Sequence, residues 1–227
     1  MGAHSKADVD DLIRATRRYE FADGLAELQL SVVTASIGVV SGVVLSPVFV
    51  RSSMVLARTV GSWARWLVMS VLLLPAVVAY GSRHAMRAVR RRWLWRSSGF
   101  VEPLPSAVPA GALVLGTAII VGASVGGSLL YRSGGREPML VLRVLVASVG
   151  WAQGVIIGGV GLRTRLLHYT WVGVGGGLAS TVFLFWQLPF GRTFLAFCVL
   201  WALVLAASGT TSLRRTLHQS READRGG

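Results

Sequence analysis

Six long apolar stretches divide the chain, at residues 28–50, 62–82, 106–131, 138–161, 169–190 and 193–212, and arginines gather in alternate gaps between them. A bilayer core is crossed by about 20 apolar residues in a helix. In lipid every backbone polar group must be satisfied within the segment, which restricts each stretch to a helix. The sequence therefore predicts an all-α polytopic membrane bundle of about six spans. Only 15% of the residues are charged and 53% are hydrophobic, against roughly 25% charge in soluble domains. The deficit runs along nearly the whole chain, so residues 28–212 are expected to form one membrane domain, with 1–27 as a juxtamembrane segment and 213–227 as a tail. Residues 1–27 are polar, so no cleaved signal peptide is expected and the first span is its own targeting signal.

The spans differ in strength. The second has its uninterrupted apolar core only from Trp66 and contains Pro75, where a missing backbone donor predicts a kink. The gap between the fifth and sixth spans is short, around Gly191 and Arg192, which predicts a tight antiparallel hairpin.

Charge then sets the orientation. Lys6, Arg14, Arg17 and Arg18 precede span one. Arg83, Arg87, Arg90, Arg91, Arg92 and Arg96 follow span two, Arg163 and Arg165 follow span four, and Arg214, Arg215, Arg221 and Arg225 follow span six. The opposite side holds Arg51, Arg58, Arg65, Arg132, Arg136 and Arg192. Sixteen basic residues against six place both termini in the cytoplasm of an inner, or cytoplasmic, membrane by the positive-inside rule. Trp63, Trp66, Tyr131 and Trp186 then fall near the outer interface, with Tyr80 and Tyr169 near the inner one.

The same bias accounts for the net charge of +13, so no nucleic-acid partner is expected. All but one of the basic residues are arginine, a usage that points to a GC-rich bacterial source. The single cysteine, Cys198, has no intrachain partner. Residues 5–26 read as an amphipathic helix, with Ser5 and Asp8 as a capping box and Val9, Leu12, Ile13 and Phe21 as its apolar face. The cytoplasmic loop 83–105 carries its arginines ahead of Trp93 and Trp95. Residues 83–96 are therefore an expected contact for anionic lipid headgroups, each arginine contributing roughly 1 kcal/mol. Residues 221–227 are expected to be disordered.

Small residues four apart recur within the spans: Gly38 and Gly42; Ala118, Gly122 and Gly126; Gly150, Gly154 and Gly158; Gly173 and Gly177. Such stripes share a helix face and let two backbones approach closely. They predict packing within one bundle, with homo-oligomer contact through one stripe as the alternative. Intramembrane polar groups are few. Arg143 lies near the outer end of span four, from which it can snorkel. Gln153 lies near its middle and needs a partner such as Ser180 or Thr181. No carboxylate occupies the centre of any span, which argues against a proton-coupled transporter. His4, His84, His168 and His218 lie in tails or at the inner edge without metal-ligand spacing. Gly173–Gly177 has no lysine after it and follows no strand, so it is not a nucleotide loop. No catalytic residues, cofactor or metal site are expected.

One acidic run stands apart. Glu20, Asp23 and Glu27 share a helix face at the cytoplasmic mouth. They can hold a hard cation, or pair with Arg90, Arg91 and Arg92, because the two spans are joined by a short outer loop. The expected arrangement is an ion-pair cluster of Asp23 or Glu27 with this arginine run. The stretch from Arg17 to Leu28, with Arg96-Ser97-Ser98-Gly99-Phe100-Val101 after the second span, resembles a group of uncharacterised bacterial membrane proteins. They enter the first span through R-Y-x-[FW]-x-D-G-L-x-E-L and leave the second through R-x-G-[FY]-V; this chain has one extra serine in the second motif. The resemblance covers residues 17–101 and implies a topology but no chemistry. The expected role is a non-enzymatic membrane protein that is a subunit or partner of a larger complex. The alternatives are a small transporter or channel component lined by Gln153, Ser124, Ser180 and Thr181, and a lipid-acting enzyme using Glu20, Asp23, Glu27 and His84.

Overall fold

The computed structural model describes residues 21–61, 63–94, 108–132 and 138–226. Among them the chain forms α1 (Leu25–Val44), α2 (Pro47–Val60), α3 (Trp63–Val89), a π-helical turn (Arg90–Leu94), α4 (Ala110–Arg132), α5 (Pro138–Thr164), α6 (Leu167–Ser180), a single turn α7 (Val182–Phe185) and α8 (Phe190–Gly226). No strand occurs among the described residues. The protein is an all-α bundle, and among the described residues five stretches are long and apolar enough to cross a membrane: Leu25–Val44, Val68–Arg92, Ala110–Leu129, Met139–Thr164 and Gly191–His218.

The boundaries differ from the hydropathy reading for local reasons. The first span stops at Val44. Ser46 caps a new helix by accepting from the Phe49 amide at 3.1 Å, and Pro47 occupies its first turn, where a missing amide costs nothing. The expected short outer loop is thus largely the exposed 14-residue helix α2. The basic loop 83–105 is helical as far as Leu94. Helix α3 runs on through Pro75.

The fifth span is interrupted. At 1.5 Å per residue the 14 residues of α6 rise only about 21 Å, short of a core of about 30 Å. It stops where the Thr181 amide and hydroxyl both take the Leu178 carbonyl, a tight i−3 turn. Residues 186–189 form the turn into α8, so Gly191 and Arg192 belong to that helix rather than to the hairpin connection. The sixth span runs on: α8 has 37 residues, about 55 Å. Residues 221–226, expected to be disordered, continue its helical backbone.

The helices form two groups, α3–α1–α8 and α4–α5–α6, joined where α8 packs against both α5 and α6. First and last helices run antiparallel along their whole shared length. Cβ atoms at Gly38 and Gly42 would meet Cys198 and Leu195, and Ser31 donates to the Ala202 carbonyl at 2.7 Å. On the other side of α8, Trp201 stands over Gly176 and donates from Nε1 to Ser180 Oγ at 3.0 Å. Ser180 in turn donates to the Gly176 carbonyl at 2.8 Å. Trp201 is wholly buried at the centre of a cluster with Val146, Ile157, Tyr169, Phe183, Phe197, Cys198 and Leu205.

The glycine stripes divide into packed and open ones. Side chains at Gly150, Gly154 and Gly173 would collide with Ser180, the Gly173 carbonyl and the Gly154 carbonyl respectively, and one at Gly177 would press on Trp151, so α5 and α6 meet backbone to backbone. Gly158 is buried, and its backbone lies where a Gly173 side chain would go, but its own Cβ direction is open. Gly122 and Gly126 face nothing within 4 Å. The α4–α5 contact uses Gly116, Gly127 and Gly159 instead, against Ala152, Val141 and Ala112. The face of α4 that meets α5 is thus not the one that carries the Gly122–Gly126 spacing.

Candidate functional site

Residues 21–22 are helical, and Asp23–Gly24 form a turn before α1. The expected helix over 5–26 is therefore interrupted at Asp23, and its residues before 21, with Glu20, lie outside the described residues. The turn organises one end of the bundle. Asp23 Oδ1 accepts from the Leu25 amide at 3.0 Å, which pins the start of α1. Gly24 has φ 72, a conformation that side chains disfavour. A Cβ there would also strike the Gly209 carbonyl, so α8 passes directly over this turn.

Asp23 also reaches α3. Arg90 Nε donates to Asp23 Oδ2 at 2.7 Å and Nη2 to Oδ1 at 3.1 Å, a two-pronged pair with both side chains buried. Arg90 sits on the π-helical turn, and Arg91 and Arg92 beside it are exposed. A second tie, Gln29 Nε2 to the Ala79 carbonyl at 3.4 Å, lies further along the same α1–α3 contact.

Glu27, one turn beyond Asp23, does not join Arg90. Its Oε1 accepts from Ser208 Oγ on α8 at 2.7 Å, and His168 Nε2 of α6 stands 3.6 Å from it, beyond hydrogen-bond reach. Glu27 is 1% exposed, and its Oε2 has no hydrogen-bond partner among the described residues. Around it, Tyr169 OH donates to the Phe21 carbonyl at 3.4 Å and Thr216 Oγ1 to the Ala22 carbonyl at 3.3 Å. The Asp-Gly-Leu-x-Glu run thus binds three helices: Asp23 holds α3, Gly24 admits α8, and Glu27 meets α6 and α8. Ser208, Gly209 and His168 were not singled out as site residues from the sequence. The polar run Ser208–Ser212 late in an apolar span is the signal that could have found two of them.

The other sequence candidates are scattered. Gln153 is half-buried, and its suggested partners are committed elsewhere: Ser180 to Gly176 and Trp201, Thr181 to Leu178. Ser124 donates to the Ile120 carbonyl of its own helix. Arg143 is half-buried near the start of α5, with its Nε unpartnered among the described residues. His84 lies against Tyr80 on exposed α3, ring centroids 4.4 Å apart. The side chains of Trp93 and Trp95, and the segment 95–107 with its Arg96–Val101 motif, lie outside the described residues. Among the described residues no group of three or more His, Cys, Asp or Glu side chains is placed to hold a metal.

No protein-family model, no curated protein and no solved structure matches this chain.

Proposed function

We propose that this chain is a non-enzymatic protein of the bacterial inner membrane, with both termini cytoplasmic, that serves as a subunit or partner of a larger membrane complex. The observation that carries this reading is the state of α3. None of the most apolar window of Val68–Arg92 is buried. Met69, Leu73, Val77 and Tyr80 form an open stripe on it. Yet its far end is locked to α1 through the buried Arg90, so α3 is held firmly in place with a long apolar face outward. Two further facts weigh for this reading against the alternatives. Asp23 is engaged in holding helices together, and the hydroxyls of Ser124 and Thr181 bond to nearby carbonyls of their own segments. The orientation rests on the arginine bias alone. On the same reading the chain belongs with the bacterial membrane proteins that share its Asp-Gly-Leu-x-Glu entry to the first span.

The test is isolation of the intact chain from its native membrane in mild detergent, beside a Leu73→Trp/Val77→Trp variant. The expected result is a stoichiometric membrane-protein partner that is lost from the variant while the variant's thermal stability is kept. A wild-type chain that isolates with lipid alone would overturn the reading.

A further inference from the structure

Away from the Asp23–Arg90 end contact, a cavity of about 730 Å³ opens between α4, α5 and α6. Its lining comes from the first turns of α4 (Pro109 to Leu115), the second half of α5 (Trp151 to Arg163) and the first half of α6 (Thr170 to Val174). The lining is apolar apart from Thr170 and Arg163, and Arg163 is exposed in the last turn of α5.

Glycine makes the space. Gly154 and Gly173 bring the α5 and α6 backbones into contact and form a floor. Gly158 and Gly111 line the cavity as well, and a Cβ at either would meet nothing within 4 Å. The packed glycines are thus explained by helix contact, whereas Gly158 and Gly111 leave a void that no side chain of the described residues fills.

Dimensions decide what fits. From Trp151 to Arg163 is twelve residues of helix, about 18 Å, close to the ~15 Å depth of one leaflet of hydrocarbon. The apolar lining and the one-leaflet length suit a hydrocarbon chain. The cation at one end complements an anionic headgroup.

We propose that this cleft binds an anionic glycerophospholipid, one acyl chain lying along Gly158 toward Trp151 and the phosphate against Arg163. The site is independent of the α3 face, and its lipid is bound rather than converted.

The test is native mass spectrometry of the full chain in detergent, titrated with phosphatidylglycerol or with zwitterionic phosphatidylcholine. The wild type is expected to retain one phosphatidylglycerol more tightly than phosphatidylcholine. Gly158→Phe and Gly111→Phe, which grow side chains into the cleft, are expected to abolish retention of both lipids. Gly122→Phe, on the open face of α4, is expected to leave it unchanged. Arg163→Ala is expected to cut the preference for phosphatidylglycerol about fivefold, the effect of roughly one basic contact. Equal retention by the wild type and by whichever of the two cleft variants folds, loss of retention in Gly122→Phe, or an undiminished preference in Arg163→Ala would each overturn the proposal.

Discussion

Arg90 Nε lies 2.7 Å from Asp23 Oδ2, with the two side chains 0% and 2% exposed, so a charge pair is enclosed where α1 meets α3. Removing one partner of a buried pair strands the other charge and costs about 3–5 kcal/mol. Asp23→Ala is therefore expected to lower the thermal midpoint in detergent sharply. Combined with Arg90→Leu it is expected to cost clearly less than the two single changes together, because no stranded charge remains. Combined with Arg92→Ala the effects are expected to add. Thermal unfolding of the six proteins, wild type included, measures the coupling, and additivity with Arg90 would mean the pair does not hold the helices together.

Glu27 makes a different demand. Its carboxylate is buried with one bond, from Ser208 Oγ at 2.7 Å. Ser208→Ala takes that bond away and leaves a buried acceptor, a loss of about 1–3 kcal/mol. Glu27→Leu removes the need for the bond, so Ser208→Ala in that background is expected to cost little. Denaturation midpoints of the four proteins give the answer, and an unchanged penalty for Ser208→Ala without Glu27 would show that the serine acts through something else.

The glycine stripes give a sharp contrast. A side chain at Gly154 runs into the Gly173 carbonyl, while one at Gly122 meets nothing within 4 Å. Gly154→Leu must push α5 off α6, and overpacking of this kind costs about 1–3 kcal/mol or more. Gly122→Leu is expected to leave the thermal midpoint within about 0.5 kcal/mol of wild type. Two variants with equal midpoints would contradict the α5–α6 contact.

Hydropathy located the helices because lipid allows apolar chain little else, and the hairpin logic puts residues 23–27 and 83–92 at one end of the molecule. What it could not show was which helices touch beyond each hairpin. Nothing local in α1 or α8 says that Gly38 faces Cys198 or that Gly24 lies under Gly209. Four-residue spacing picked Gly122 and Gly126, whereas Gly116 and Gly127, which meet α5, are eleven residues apart and are marked only by burial. The α2 break was readable in principle from Ser46-Pro47, but the apolar Val48, Phe49 and Val50 kept the hydropathy high across it. Glu27 was read with the arginines because opposite charges at one mouth attract. It bonds to Ser208 instead because it faces α8, a neighbour that the hairpin logic does not reveal.

The pairing of α1 with α8 bears on topology. The turn at Gly24 meets Gly209, and Thr216 donates to the Ala22 carbonyl, so the start of the first membrane helix and the end of the last lie at the same end of the bundle. Arg90 and His168 lie there too, through Asp23 and Glu27. The segments following residues 90, 165 and 216 therefore share one side, whichever side that is. The proposed orientation, drawn from the arginine bias, makes it the cytoplasm. Reporter fusions after residues 95, 165 and 220 are expected to give three cytoplasmic signals, and one after residue 134 a periplasmic signal. Three periplasmic signals with the last reversed would invert the proposed orientation and keep the bundle. A split among the three would contradict the bundle itself, since no single crossing pattern could then bring Gly24, Arg90, His168 and Gly209 to one end.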